Sequence, residues 1–242
     1  MVRRQPVLLL TATITPPSDA PRIARTDPAQ RLQDYRRALE FYRQRCGSTF
    51  SRIVFADNSG SDLSVLQQDS RDHPVEFLST VQDHPAEYGR AYGEMRLIEY
   101  ALQHSSSIGA DDTVWKCTGR YRLLNVDRLV ARRPDVDLYV HCRNRPYPLC
   151  EMFSLAFNRR GSDAVFEAAK AERVRQTDAP YSSEVGFRKL IDEAPVSKRQ
   201  RFTDTPVIDG IRAYDNTAFN TGVSLKLLVR RVANVVAPWY WI

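Results

Sequence analysis

Apolar and polar positions along the chain alternate in blocks that predict strands and helices in turn. Residues 6–14 form a nearly continuous apolar, β-branched run, as expected for a strand that is buried on both faces. Behind Asp27 and Pro28, apolar side chains recur at helical spacing to residue 47, and Asp as N-cap followed by Pro is a typical helix start. The same patterns predict further strands over 52–56, 75–80, 113–117, 137–142 and 153–157.

Helical spacing recurs between these strands. It predicts helices over 63–68, 87–103, 125–132, 162–176 and 183–194, the last capped by Ser182 or Ser183, and a late strand is predicted over 207–214. Strands that alternate with helices are typical of an α/β fold. We therefore expect a mostly parallel central sheet with helices on both faces and an irregular C-terminal part.

The end of the chain differs from the rest, and we expect one domain over residues 1–223 followed by a tail over 224–242. The tail combines leucine and valine with lysine and arginine, and residues 239–241 read Trp-Tyr-Trp. A basic amphipathic segment with terminal aromatic residues suits the surface of a membrane. Packing on the sheet or on a second subunit is the alternative, so a homodimer is also compatible with this tail.

Composition limits the classes of protein to consider. The chain has 242 residues, of which 43% are hydrophobic and 26% charged, and these values exclude wholesale disorder. The net charge of +6 favours an anionic partner, whether a nucleotide, a nucleic acid or an acidic membrane. Four cysteines without CxxC spacing argue against a disulfide framework or a structural zinc site. With no signal segment or apolar span visible, we expect a cytoplasmic protein.

The predicted strand over 113–117 ends in an unusual cluster of side chains. Two cations, a hydroxyl and a phenol surround one glycine in Lys116, Thr118, Gly119, Arg120 and Tyr121. Ligands of open α/β sheets bind beyond the carboxyl ends of the strands, and Lys and Arg at that position suit phosphate groups. A surface turn with an ordinary basic rim is the alternative interpretation.

Five motifs follow one another over roughly the first three quarters of the chain: LLLTATITP, FADNSG, RAYGEMRLIEYAL, WKCTGRY and SSEVGF. In this order they resemble the GT-A class of nucleotide-sugar glycosyltransferases. The resemblance is greatest to small bacterial enzymes that build surface polysaccharides such as lipopolysaccharide O-antigen or capsule. It implies a GT-A-like, Rossmann-like fold and transfer of a sugar from a nucleotide-sugar donor to a saccharide acceptor, which can be lipid-linked.

The resemblance also implies which residues bind the donor nucleotide. These are Thr11, Thr13, Asp57, Asn58, Arg90, Gly93 and Lys116, with Thr15 beside the first two. For Asp57 and Asn58 an Asx-turn that stops the strand is an equally valid interpretation. For the segment around Gly93, an ordinary helix N-terminus with a favourable acid, Glu94, is the alternative.

The chain departs from the GT-A pattern where most members have an Asp-x-Asp pair that holds a divalent metal. Here residues 116–120 read Lys-Cys-Thr-Gly-Arg. A hard cation needs clustered oxygen ligands, so the sequence predicts no metal site and no cofactor. We expect Lys116 and Arg120 to stabilise the charge of the departing diphosphate instead. A catalytically inactive GT-A-like scaffold protein is compatible with the same substitution.

Transfer with inversion of configuration needs a base, and the resemblance assigns Glu184 to that role. Glu151, Asp209 and His141 are competitors, and Glu184 could instead only stabilise its own helix. Tyr121 and Thr118 are expected to contact the sugar or the acceptor.

A nucleic-acid-binding protein is the alternative from a different class. The net charge and the KRQR run over 198–201 favour it. Basic residues are nevertheless spread over many segments without a recognised binding motif, so we expect no nucleic-acid partner.

Overall fold

A computed structural model of the chain describes residues 4–18, 23–179 and 181–219, together with Val232 and Val236. The predicted tail over 224–242 therefore lies outside the described residues, apart from these two exposed valines.

Within the described residues, nine strands pair into two sheets. They are β1 (Val7–Ala12), β2 (Arg52–Asp57), β3 (Val75–Ser79), β4 (Val114–Thr118), β5 (Arg122–Leu123), β6 (Leu138–Arg143), β7 (Leu149–Phe157), β8 (Lys198–Arg199) and β9 (Ile208–Asp209). Seven of them form the central sheet in the order β3-β2-β1-β4-β7-β6-β8, and β5 pairs with β9.

The central sheet is mixed but mostly parallel. Strands β3, β2, β1 and β4 are parallel neighbours, β7 runs antiparallel to both β4 and β6, and β8 is parallel to β6. This confirms the predicted fold class. Because β1, β2 and β4 are parallel, their carboxyl ends meet at one edge of the sheet, and polar side chains at those ends are brought together.

Seven α-helices are described in the same residues. They are α1 (Pro28–Arg43), α2 (Ser64–Asp69), α3 (Gly89–His104), α4 (Val126–Ala131), α5 (Arg159–Val165), α6 (Ala168–Ala171) and α7 (Ser182–Glu193), with 3₁₀ turns at Ala86–Tyr88 and Glu172–Val174. The predicted start of α1 is confirmed, because the Asp27 carboxylate accepts hydrogen bonds from the backbone N–H groups of Ala29 and Gln30.

Side-chain alternation along β1 divides the core between the two faces of the sheet. Val7 and Leu9 belong to a cluster that also contains buried side chains of α3 and α7. Leu8 and Leu10 belong to a second cluster with buried side chains of α1 and α4. Such a sheet needs helices on both faces, as the continuous apolar run predicted.

The predicted helix over 162–176 is wrong in its extent. The Asn158 side chain accepts a hydrogen bond from the Gly161 backbone N–H at 3.0 Å, so α5 starts earlier than predicted. The chain then becomes extended at Glu167, with φ −73° and ψ 147°, which separates α5 from α6. The predicted strand over 207–214 is likewise reduced to the two residues of β9.

No helix among the described residues combines the length and the apolar composition needed to cross a membrane.

Candidate functional site

A cavity of about 680 Å³ opens at the edge where β1, β2 and β4 end. The first turns of α3 and α7 and the segment over 205–219 complete its walls. Among the described residues, eight charged side chains lie on its lining: Arg31, Arg90, Arg120, Arg143, Arg212, Glu94, Glu151 and Glu184. These five arginines and three glutamates give the described part of the lining a positive excess, which suits a ligand with phosphate groups.

Glu94 has three side-chain partners around one of its oxygens, and it lies on the cavity lining. Its Oε1 accepts hydrogen bonds from the hydroxyls of Thr11 at 2.7 Å and Thr118 at 3.1 Å. The same oxygen lies 2.6 Å from Nζ of Lys116. Oε2 makes no hydrogen bond with a described residue, and Glu94 lies on the lining. The carboxylate is therefore held by one oxygen and can offer the other to a ligand.

Lys116 does not reach the cavity, contrary to the prediction that it contacts the donor phosphates. Its side chain is fully buried, and Nζ also donates to the carbonyl oxygen of Met152 at 2.5 Å. In the sheet, Lys116 is opposite Leu9 of β1 and Leu155 of β7, so its side chain lies on the face that α3 covers. Its charge neutralises Glu94 beneath the cavity floor.

The hydroxyls of Thr11 and Thr118 complete the set of side chains that hold Glu94. Both lie on the lining, but their hydroxyl protons are committed to Glu94. The structure therefore places them as supports of Glu94, and neither offers a free hydroxyl donor to a ligand.

Arg120 lies on the lining in a fixed orientation. One terminal nitrogen donates to the carbonyl oxygen of Ile211 at 2.6 Å and the other to the phenol oxygen of Tyr121 at 2.8 Å. The guanidinium carbon lies 4.6 Å from the centre of the Tyr121 ring. Tyr121 also lines the cavity, and burial raises the pKa of its phenol. A cation held in this way is preorganised for an anionic ligand.

Arg90 is the least engaged of the five arginines. It is exposed in the first turn of α3 and makes no hydrogen bond or ion pair with another described residue. Its guanidinium carbon lies 6.0 Å from the centre of the Tyr214 ring, at the outer limit of a cation–π contact. Its five N–H groups are therefore available to a ligand in the cavity.

Gly93 is not on the lining. A Cβ at this position would lie 3.1 Å from the ring of His84, so this glycine permits close packing of α3 against that ring. The structure thus gives Gly93 a packing role in place of the predicted contact with the nucleotide.

The ends of β1 and β2 form a polar pocket at one end of the cavity. The hydroxyl of Thr13 donates to Oδ1 of Asn58 at 2.6 Å, and the Thr13 backbone is held by Tyr35 and Arg31. Nδ2 of Asn58 makes no hydrogen bond with a described residue. Thr13 and Asn58 both lie on the lining, and their contact with a nucleotide stays a prediction.

Asp57, in contrast, is fully buried and absent from the lining. Its two oxygens accept hydrogen bonds from the backbone N–H groups of Ile14 and Ser59, at 2.9 and 2.8 Å. The prediction that Asp57 contacts the base or ribose is wrong for this geometry, and the alternative of an Asx-turn explains it. Thr15 is also off the lining, and its hydroxyl pairs with that of Ser61.

Glu184 lies on the lining at the other end of the cavity, in the first turn of α7. Burial raises the pKa of its carboxyl group, and the neighbouring charge of Glu151 raises it further. Glu94 adds to this effect, whereas Arg90 opposes it. A carboxylate with a raised pKa is a better proton acceptor than an ordinary one.

The competitors of Glu184 are placed differently. Glu151 lies on the lining but forms an ion pair with Arg143, which weakens it as a base. Asp209 pairs with Arg122 and is off the lining. His141 lies on the lining and stacks on Phe202, with 5.2 Å between ring centres.

A divalent metal does not fit the position where GT-A enzymes have an Asp-x-Asp pair. After β4 the chain presents the ammonium of Lys116, already paired with Glu94, and the guanidinium of Arg120. These groups repel a cation. Among the described residues, no cluster of three or more His, Cys, Asp or Glu side chains is arranged to hold a metal ion.

In the basic run over 198–201, Lys198 is engaged by the protein itself, whereas Arg199 is exposed. Nζ of Lys198 donates to the carbonyl oxygens of Ile191, Asp192 and Ala194 at 2.8 to 2.9 Å. Lys198 therefore caps the carboxyl end of α7, a position that also suits the helix dipole.

Sequence reasoning missed several residues of the cavity. Arg143, Arg212, Tyr181 and Ser183 all lie on the lining, and Glu94 was considered only as a helix-start acid. One signal was available for Glu94: Thr11 and Thr118 are polar residues on buried strands, and such hydroxyls need a partner.

Comparisons with solved structures agree with this architecture. A candidate nucleotide-diphospho-sugar transferase from Desulfovibrio desulfuricans G20 is 13% identical, with 98% of each chain covered and a TM-score of 0.50. Rv0371c from Mycobacterium tuberculosis H37Rv is 12% identical, with 88% of this chain and 96% of that chain covered and a TM-score of 0.50. CMP:2-keto-3-deoxy-manno-octonic acid synthetase, solved with CTP, is 13% identical over 97% of this chain and 99% of its own, with a TM-score of 0.46.

The first two similarities show that the chain shares its overall fold with these two proteins. No protein-family model matches the sequence, and no curated protein sequence matches it significantly.

Proposed function

We propose that this chain is a glycosyltransferase that moves a sugar from a nucleotide-sugar donor to a saccharide acceptor. The observation on which this proposal chiefly rests is the arrangement of one cavity at the carboxyl ends of β1, β2 and β4. It combines a polar pocket at Asn58, the arginines Arg90 and Arg120, and a half-buried acid, Glu184. The likeness in fold to a nucleotide-diphospho-sugar transferase supports the same class of donor.

The nucleoside binds at the ends of β1 and β2. Asn58 offers Nδ2 as a donor there, while its Oδ1 is fixed by the Thr13 hydroxyl at 2.6 Å. A fixed amide can read the carbonyl edge of a base such as uracil. This is also the crevice in which open α/β sheets bind nucleotides.

The diphosphate lies against Arg120 and Arg90. Arg120 is oriented by Ile211 and Tyr121, and Arg90 has no competing partner among the described residues. Both guanidinium groups can form charge-assisted hydrogen bonds that strengthen as charge develops on the leaving diphosphate. In this mechanism arginines supply the charge that a metal ion supplies elsewhere, and Lys116 contributes only by fixing Glu94.

Glu184 acts as the general base on the acceptor hydroxyl. Its raised pKa makes it a stronger proton acceptor, and unlike Glu151 and Asp209 it makes no ion pair with a described residue. Glu94 interacts electrostatically with both Glu184 and Tyr121, so its charge affects both groups. Oε2 of Glu94 is then available to a hydroxyl of the transferred sugar.

The biological setting follows from the motifs. Their resemblance to enzymes of O-antigen and capsule synthesis supports a role in bacterial surface polysaccharide synthesis, on the cytoplasmic side of the membrane. The composition of the tail over 224–242 supports a lipid-linked acceptor and peripheral docking on anionic lipid. Sedimentation with anionic vesicles, compared for the full chain and a chain ending at residue 223, tests that setting.

A thermal-shift panel tests the donor site. A ligand that binds only the folded state raises the melting temperature. We expect stabilisation by a uridine nucleotide or a related nucleoside diphosphate, unchanged when manganese is replaced by EDTA. No response to any nucleotide would refute the proposal, whereas a response abolished by EDTA would refute only the metal-free mechanism.

A further inference from the structure

The end of the cavity at α7 has features that binding a nucleotide does not use. Tyr181 and Ser183 lie on its lining directly before Glu184. We propose that this end is a binding site for a neutral pyranose ring of the acceptor, with Tyr181 as the stacking platform. The assignment of that ring to an acceptor rests on the proposed glycosyl transfer, but the binding site itself can be tested without it.

Two exposed aromatic rings lie next to each other here, Tyr181 on the lining and Tyr147 beside it. The side chain of Tyr181 is 48% exposed and that of Tyr147 is 44% exposed, and their ring centres are 5.9 Å apart. Two neighbouring exposed rings offer an apolar surface that a ligand can cover. The flat C–H face of a pyranose covers an aromatic ring well while its hydroxyls remain free for hydrogen bonds.

Tyr181 also has an unusual backbone. Its φ of 54° and ψ of 28° lie in the left-handed region, which bulky residues rarely adopt. It occupies the N-cap position of α7, but its side chain makes no capping hydrogen bond there. An asparagine adopts this conformation more readily, so the backbone alone does not explain a tyrosine.

Ser183 supplies a polar group without a protein partner. It is 3% exposed, and its Oγ is buried without a hydrogen bond to a described residue. Buried hydroxyls are nearly always paired with protein, ligand or water. This hydroxyl can both donate and accept, as the hydroxyls of a sugar do.

The charges at this end favour a neutral ligand. Arg143 pairs with Glu151 there, so these two charges cancel, and burial favours the neutral form of Glu184 by raising its pKa. A phosphate or an ammonium group would meet a like charge nearby, and a lipid chain would leave these polar groups without partners. A polyhydroxylated ring satisfies donors and acceptors together.

Saturation-transfer NMR on the full chain tests this site. The probes are methyl glycosides of glucose, galactose, mannose, rhamnose and N-acetylglucosamine, applied to wild type, Tyr181→Phe and Tyr181→Asn. We expect at least one glycoside to receive saturation from wild type and Tyr181→Phe, with at least a threefold loss in Tyr181→Asn. We also expect Tyr181→Asn to melt at the same temperature as wild type or higher, because asparagine relieves the backbone.

Other results overturn the inference. They are no signal for any of the five glycosides, an undiminished signal in Tyr181→Asn, or a melting temperature that falls in that variant, which would show a structural role. Thermal shifts with uridine diphosphate on the same samples separate the two proposals. Glycoside binding without a nucleotide response refutes the donor site alone, and a nucleotide response without glycoside binding refutes the saccharide site alone.

Discussion

Nζ of Lys116 lies 2.6 Å from Oε1 of Glu94, beneath the floor of the cavity. The lysine side chain is fully buried and that of Glu94 is 19% exposed, so the pair spans the boundary between core and cavity. Lys116 lies at a strand end that resembles a phosphate-binding motif, but it forms an ion pair inside the protein. The charge for a diphosphate has to come from arginines on the lining.

This pair predicts a strong effect on stability. In Lys116→Met the partly buried carboxylate of Glu94 keeps its charge and loses its counter-ion. We expect the free energy of unfolding to fall by about 3 kcal/mol, the lower end of the range for breaking a buried pair. Urea denaturation measures it.

The double variant Lys116→Met with Glu94→Gln is the matched control. Because the uncompensated charge is then absent, the double variant should lose less stability than the sum of the two single variants. Additive losses would show that the two side chains do not interact as the structure indicates.

Arg90 is predicted to bind phosphate without supporting the fold. It is exposed and has no described partner, so Arg90→Ala should melt like wild type. We expect its affinity for a nucleoside diphosphate to fall about tenfold, which corresponds to ~1.4 kcal/mol and one lost charge-assisted hydrogen bond. Calorimetric titration with uridine diphosphate measures this change.

Arg37→Ala is the control for that experiment, because Arg37 is also exposed on a helix but lies off the lining. Its affinity should equal that of wild type. If both variants weaken binding equally, the effect comes from net charge and the assignment of Arg90 is incorrect.

Glu184 is predicted to reduce stability at neutral pH. Because the pKa of Glu184 is raised in the folded state, that state favours the protonated carboxyl group. The resulting contribution to the stability of the folded state is lost as pH rises through the folded pKa. Glu184→Gln should therefore be more stable than wild type at pH 7. The difference should disappear below the unfolded pKa of about 4.3. Urea denaturation at pH 7 and pH 3.5 measures it.

The same shift predicts the pH dependence of catalysis. A general base has to be deprotonated, so kcat/KM should fall with decreasing pH through a pKa above the usual carboxyl range. Glu151→Gln serves as the comparison variant. Glu151 is the other acid at this end of the cavity, and its charge is neutralised by the ion pair with Arg143. An unshifted acid limb would contradict the assignment of Glu184.

The sequence pattern predicted most strands of the central sheet because burial is a local signal, but it did not predict β8. Residues 6–14 and 52–56 are mostly apolar, and both contain neighbouring parallel strands. Because β1 pairs in parallel with both β2 and β4, residues that follow these strands, Thr13, Asn58 and Arg120, line one cavity.

The pattern could not determine where the side chain of Lys116 points. In a strand buried on both faces, alternation does not distinguish the face toward a helix from the edge toward a ligand. Its partner Glu94 is 22 residues earlier in the chain, and the Thr11 hydroxyl that meets the same oxygen is 83 residues from Glu94. Contacts over such separations depend on how α3 packs across the sheet.

For Asp57 the sequence predicted the correct position but left two interpretations open. Both the turn interpretation and the ligand interpretation matched its position after β2, and only the bonds to Ile14 and Ser59 decided between them.

Release of nucleoside diphosphate from nucleotide sugars tests the central claim most directly. UDP-glucose, UDP-galactose, UDP-N-acetylglucosamine, GDP-mannose and dTDP-rhamnose are each incubated with wild type and Glu184→Gln, with methyl glycosides as acceptors and EDTA present. We predict that at least one donor releases its nucleoside diphosphate, and that Glu184→Gln slows this release by a factor of about 10²–10⁴. No release from any donor, or pyrophosphate formed from a nucleoside triphosphate and a sugar phosphate instead, would contradict it.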